Sequence, residues 1–192
     1  MKNKLTQEYL KECLDYNLKT GEFVWKERPI NHFKTERVCN IWNTRFKNKK
    51  AGFNCSNGYY YISIDCKKYL SHRIAFLYVD GYIPENEVDH MNRNRSDNRW
   101  ENLREVSTSC NSQNCSVSKN NTTGVTGVYY DKSRCKWLVN IKINYKDKYL
   151  GRFDDFNDAV IARYNEEQNN PNWTCSLESS AYKYLKENNL LS

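Results

Sequence analysis

The longest unbroken apolar run in this sequence is six residues, Ile74-Ala75-Phe76-Leu77-Tyr78-Val79. A bilayer-spanning helix needs roughly 18 or more, so no membrane span is expected. A chain whose apolar residues never run long must build its cores from short elements and amphipathic faces. With 192 residues, 39% of them hydrophobic, and a mean hydropathy of −0.94, small modules suit it better than one thick-cored domain. The start, Met1-Lys2-Asn3-Lys4-Leu5-Thr6-Gln7-Glu8, lacks the apolar stretch of a secretory leader. A soluble, cytoplasmic protein is the expectation. The cysteines at 13, 39, 55, 66, 110, 115, 135 and 175 form no C-x-x-C pair. Reduced thiols and no structural zinc are therefore expected.

The charge is unevenly placed. The net value is +7, yet residues 1–50 carry 12 basic and 6 acidic side chains, and residues 119–153 carry 8 and 2. In the first segment Lys34, Arg37, Arg45, Lys47, Lys49 and Lys50 surround Trp42 and Phe46; in the second, basic residues interleave with Trp137, Tyr145 and Tyr149. One basic run is usually a solvated face. Two segregated runs with aromatics point to nucleic acid, through counterion release and stacking.

Element signals follow the same modular plan. Residues 5–16 read as an amphipathic helix and Phe23-Val24-Trp25 as a strand, while Pro29 to Lys50 reads as an irregular basic loop. Asn57-Gly58 is a turn before a strand at 59–64; a short strand near 69–71 and a helix at 72–80 follow. After the polar stretch 118–123 come β-rich runs at 125–130, 135–145 and 148–153. Asp154 or Asp155 then caps a helix with Phe156, Ala159, Val160 and Tyr164 on one face. A further helix is expected in the acidic tail.

The chemistry concentrates between Val88 and Arg104. Adjacent Asp89-His90 can divide two tasks, a carboxylate for a hard cation and an imidazole for a water. Alternation along a strand would send these side chains to opposite faces, so a strand end or bulge is required.

This stretch resembles the HNH (ββα-metal) endonucleases, closest to the phage and intron homing type. Asp89-His90 is followed by Asn102 at +12 and Asn111 at +21, and Asp97-Asn98-Arg99-Trp100-Glu101-Asn102-Leu103 is similar to the family's Asn-Asn-x-x-x-Asn-Leu run. Leu70-Ser71-His72-Arg73-Ile74-Ala75 is similar to its His-Arg segment. The resemblance implies His90 as general base, Asp89 and Asn111 as ligands of one Mg²⁺ (Mn²⁺ substituting), and Asn102 fixing the loop and orienting the imidazole. Asn111 stands where many members have His. For His72 a packing or hydrogen-bonding role is expected, and Arg73 is assigned to the DNA backbone.

Residues 122–167 resemble the plant ethylene-response-factor (APETALA-type) DNA-binding domain, on Gly124-Val125-Thr126-Gly127-Val128-Tyr129, Lys136-Trp137, Tyr149-Leu150-Gly151-Arg152-Phe153 and the helix with Ala159 and Tyr164. Where plant members read guanine with Arg, this chain has Thr126, Tyr129 and Asp131, so the plant target does not carry over.

Together these readings give an α+β modular protein: an N-terminal helix and basic DNA-contacting segment (1–50), an HNH nuclease domain (51–118), a three-stranded sheet plus helix that binds DNA (119–170), and a tail (171–192). The expected function is a sequence-directed endonuclease of the homing type, with a restriction enzyme or a non-cutting DNA-binding regulator as alternatives. Double-stranded DNA is the partner, contacted through Lys47, Lys49, Lys50, Arg73, Lys132, Arg134, Lys136, Asn140, Lys142 and Tyr149. The protein is expected as a monomer or homodimer in the cytoplasm of a bacterial or phage-infected cell.

Overall fold

The computed structural model describes residues 5–175 and 178–191. The charged start Met1-Lys2-Asn3-Lys4 lies outside them. The chain divides into two compact units, residues 1–105 and 106–192, a division ahead of the 118/119 boundary expected above.

In the first unit Thr6 caps helix α1 (Gln7–Cys13) by accepting from the Tyr9 N–H, and Leu10 and Cys13 turn inward. Strands β1 (Leu14–Tyr16) and β2 (Phe23–Trp25) pair antiparallel. The expected loop then proves to contain a helix, α2 (Glu36–Phe46). Thr35 caps it through the Val38 N–H, and Cys39, Trp42, Asn43 and Phe46 form its inner face. Its basic residues project outward, which makes the segment read as loop.

A three-stranded antiparallel sheet follows, in the order β3 (Phe53–Asn54), β4 (Tyr60–Ile64), β5 (Lys67–Leu70). Asp65 and Cys66, both with positive φ, make the two-residue turn between β4 and β5. Helix α3 (Ser71–Val79) buries Ile74, Ala75, Phe76 and Leu77 in the core with Leu10, Phe23, Ile62 and Ile64. Strands β6 (Glu87–His90) and β7 (Leu103–Val106) pair, and the loop between them holds the polar motif.

The second unit begins with short helix α4 (Thr108–Gln113), capped by Ser107. Its sheet runs β10 (Lys146–Phe153), β9 (Lys136–Ile143), β8 (Val128–Asp131), all antiparallel. Asp155 caps α5 (Phe156–Asn169), and α6 (Ser180–Glu187) packs on it through Tyr184, whose hydroxyl donates to Asn157 Oδ1. Val139 and Ile141 of β9 face inward on Ala159 and Val160, leaving Leu138, Asn140 and Lys142 on the outer face. Gly127 is obligatory: its φ is +80°, and a Cβ there would meet Asn140 O at 2.2 Å and Arg163 Nη1 at 2.3 Å. Buried Arg163 reaches under the sheet to the Asn140 carbonyl and pairs with buried Glu167.

The expectation of reduced thiols is corrected for one pair, since Cys110 of α4 and Cys175 form a disulfide. Gln113 holds the same two segments together, donating to Asn172 O and accepting from the Cys175 N–H.

Candidate active site

His90 is the last residue of β6 and is 4% exposed; Asp89 before it is 6% exposed. The strand therefore ends at the position where two neighbouring side chains need to escape alternation. The chain then turns: the Arg93 N–H donates to His90 O, and Arg93 itself has a φ of +63°.

Asn102 fixes this turn. Its Oδ1 accepts from the Asn92 N–H at 2.9 Å, and its Nδ2 donates to Asn92 Oδ1 and to Asp97 O. Its own carbonyl accepts from the Met91 N–H. Loop fixing is thus visible, but Asn102 does not reach the imidazole. That contact belongs to Asn98, a correction to the role the resemblance implied. Asn98 Oδ1 lies 3.2 Å from His90 Nε2, while Asn98 Nδ2 donates to Ser96 O. With its amide nitrogen used, Asn98 offers the ring an acceptor, so His90 carries its proton on Nε2 and its lone pair on Nδ1. Burial lowers the His90 pKa below the ordinary histidine value, against the Asn98 bond and the charges of Asp89 and Asp97. The base form is the resting form.

Asp89 Oδ2 accepts from Arg104 Nε at 3.0 Å and Nη2 at 2.7 Å. Both donors converge on one oxygen, so the guanidinium anchors Oδ2 through two charge-assisted hydrogen bonds. No three His, Cys, Asp or Glu side chains converge on a metal position among the described residues. The carboxylate oxygens of Asp89 nevertheless suit a hard divalent cation whose remaining positions go to water and substrate oxygens. Asn111 lies on α4 in the second unit.

For His72 a packing or hydrogen-bonding role was expected. It packs on the His90 imidazole: the two rings are 5.0 Å apart at 83°, and Tyr59 stands 5.3 Å from His72 and 6.1 Å from His90. Burial, then the charges of His90 and Arg73, push the His72 pKa down to about 3. Its Nδ1 is buried without a hydrogen-bond partner. No spacing rule links positions 59, 72 and 90, so only the fold reveals this cluster. Arg104 and Asn98, by contrast, lie inside the motif, and their polarity was the available signal.

Arg73 is corrected. It donates to the carbonyls of Asn86 and Pro84, bracing the segment before β6. Lys47 pairs with Glu27 and Lys50 with Glu22, while Lys49 is exposed. In the second unit Arg134 pairs with Asp131, Lys136 with Asp154 and Lys142 with Asp147. Lys132 is exposed, Asn140 donates to the Tyr129 hydroxyl, and Tyr149 is 54% exposed under the Arg152 guanidinium.

Residues 69–113 match the family model described as HNH endonuclease. The matched segment holds His72, Asp89, His90, Asn98, Asn102, Arg104 and Asn111. Over 108 residues the chain is 36% identical to an uncharacterized HNH endonuclease of Acanthamoeba polyphaga mimivirus, covering 51% of this chain and 27% of that protein. The chain thus spans about a quarter of the curated relative it matches. No solved structure matches the chain. The HNH-like segment is where the buried Asp-His pair and its supporting asparagines sit.

Proposed function

We propose that this protein is a metal-dependent DNA endonuclease that hydrolyses a phosphodiester of double-stranded DNA, as a sequence-directed enzyme of the homing type. The observation that carries the reading is the buried His90, held neutral with its Nε2 proton on Asn98, beside Asp89 in an HNH-matching segment. His90 Nδ1 takes a proton from the water that attacks phosphorus. Asn98 keeps the lone pair on that nitrogen, and Asn102 keeps the loop carrying Asn98 in place. Asp89, with Asn111 as the resemblance implies, would hold Mg²⁺. When bound, such an ion supplies Lewis-acid stabilisation of the phosphate and of the departing 3′ oxygen. Arg104 aligns the Asp89 carboxylate for that task.

The second unit supports a separate binding role. Its outer sheet face presents Tyr129, Lys136, Asn140, Lys142 and Tyr149, polar and aromatic groups on a surface that fits the major groove. A nuclease joined to such a module suits recognition of an extended site.

A supercoiled-plasmid assay tests the reading. The protein should nick or linearise plasmid with Mg²⁺ or Mn²⁺, and EDTA or Asp89→Ala should stop it. His90→Ala should lose ~10²–10⁴ in rate while DNA binding stays within a few-fold. Undiminished cutting in EDTA would overturn the metal assignment, and a near wild-type His90→Ala would overturn the base.

A further inference from the structure

We propose that the outer face of α2 reads bases in the DNA major groove, making the first unit a sequence reader as well as the seat of cleavage. This deepens the endonuclease reading and rests on it.

Helix α2 has two unlike faces. The inner one is fixed in detail: Asn43 accepts from the Arg28 N–H and donates to the Arg28 carbonyl, Cys39 Sγ donates to that same carbonyl, and Trp42 packs edge-on against Trp25. Such an anchor makes the helix a rigid platform. On the outer face Arg37, Ile41 and Arg45 recur every fourth residue, with Asn40 alongside, and all four are exposed. Ile41 is 59% and Val38 49% exposed, although the helix has already buried its packing face. A merely solvated face has no use for two branched apolar side chains among arginines.

The composition of that face matches what the groove offers. Arg pairs with guanine, Asn with adenine, and an apolar branch with the thymine methyl. The only acid on α2 is Glu36, in its first turn. Neither Arg37 nor Arg45 forms an ion pair among the described residues, whereas Lys47 and Lys50 just beyond the helix do. Arg45 stands over the Phe46 ring at 5.1 Å, which limits its rotamers. From Arg37 to Arg45 the helix rises about 12 Å at 1.5 Å per residue. That is the length of roughly three to four base pairs.

The test is selection of cut sites from a randomised duplex library by the full chain with Mg²⁺. Arg37→Ala, Asn40→Ala, Ile41→Ala and Arg45→Ala are compared with wild type, with melting curves confirming folding. Each variant should relax preference about 5- to 150-fold at one or two base pairs. The positions affected by Arg37 and Arg45 should lie within about four base pairs of each other. Unchanged preference in variants that cut overturns the proposal and leaves the endonuclease reading standing. Uniform weakening across all sequences with a shallower salt dependence also overturns it, since that identifies phosphate anchoring alone. A wild-type chain that neither binds nor cuts any duplex removes the endonuclease reading and this proposal together.

Discussion

His72 and His90 meet edge to face, 5.0 Å between ring centroids and 83° between planes. His72 stays neutral, because burial first and neighbouring positive charge second push its pKa down to about 3. When His90 takes a proton, it therefore does so beside an uncharged ring, with no like-charge opposition. His72 thereby walls one side of the His90 ring.

That arrangement has a stability signature. An unfolded histidine titrates near 6.5, whereas folded His72 resists protonation until about pH 3. Between those values the unfolded state binds the extra proton, so stability falls as pH drops. By pH 5 the loss from this group amounts to about 2 kcal/mol. Melting temperatures at pH 7 and pH 5 should therefore differ less in His72→Asn than in wild type. An equal drop in both would show that His72 does not remain neutral in the fold.

Asn98 meets the His90 ring through a single acceptor oxygen, and the proposed base chemistry depends on it. Asn98→Ala should lower the cleavage rate by about 10- to 100-fold, less than loss of His90 itself. Asn98→Asp keeps an acceptor and should recover part of that rate. If Asp and Ala at this position are equally poor in single-turnover cleavage, tautomer control is not the role of Asn98.

Asp65 accepts from Tyr9 Oη at 2.7 Å and from buried Arg28 at 2.9 Å. Partial burial pushes its pKa up, but these bonds outweigh burial and hold the carboxyl below its usual range. The ionised form thus stabilises the fold above the unfolded carboxylate value of about 3.9, and the contribution is lost as pH falls through the lower folded value. Half of the Asp65 side chain faces solvent, so Asp65→Asn should cost only about 1–2 kcal/mol at pH 7. Urea denaturation should show that cost shrinking as pH falls below about 3.9. A cost that does not shrink with falling pH would assign the effect to shape, not charge.

The Cys110–Cys175 disulfide closes a long loop, with 65 positions separating its ends. Chain-entropy reasoning gives it about 4 kcal/mol. Dithiothreitol should lower the melting temperature of the wild-type chain and leave Cys110→Ser unchanged. Equal melting with and without reductant in the wild type would show that the two thiols do not pair in solution.

The legibility of the sequence followed the range of the interactions. Asp89-His90 with Asn102 could be recognised because the loop that joins them is local, and its spacing is fixed by one turn and one strand pair. The hairpins and the Asp155-capped helix were readable for the same reason. Helix α2 was not, because Val38 and Ile41 put apolar residues on its outer face and Asn43 puts a polar one inside, blurring the 3.6-residue period. His72 was read as packing without its partner, since Tyr59, His72 and His90 come from three elements. Arg73 looked like a phosphate contact by charge alone, yet two backbone carbonyls occupy it.

The sheet β8–β10 and helix α5 lie wholly between Cys110 and Cys175, and Gln113 fastens the same two chain ends. That seam leaves out α6, whose buried Ala181 and Leu185 share the core of that sheet and helix. A designer exchanging the enclosed segment must leave the chain after α4 and re-enter it before Asn172, so that Asn172 and Cys175 return to Gln113 and Cys110. Grafts cut at 119 and simply terminated would leave six-residue α4 without either fastening. An exchange is then a matter of where the donor's two ends emerge and of whether it covers Ala181 and Leu185 of α6.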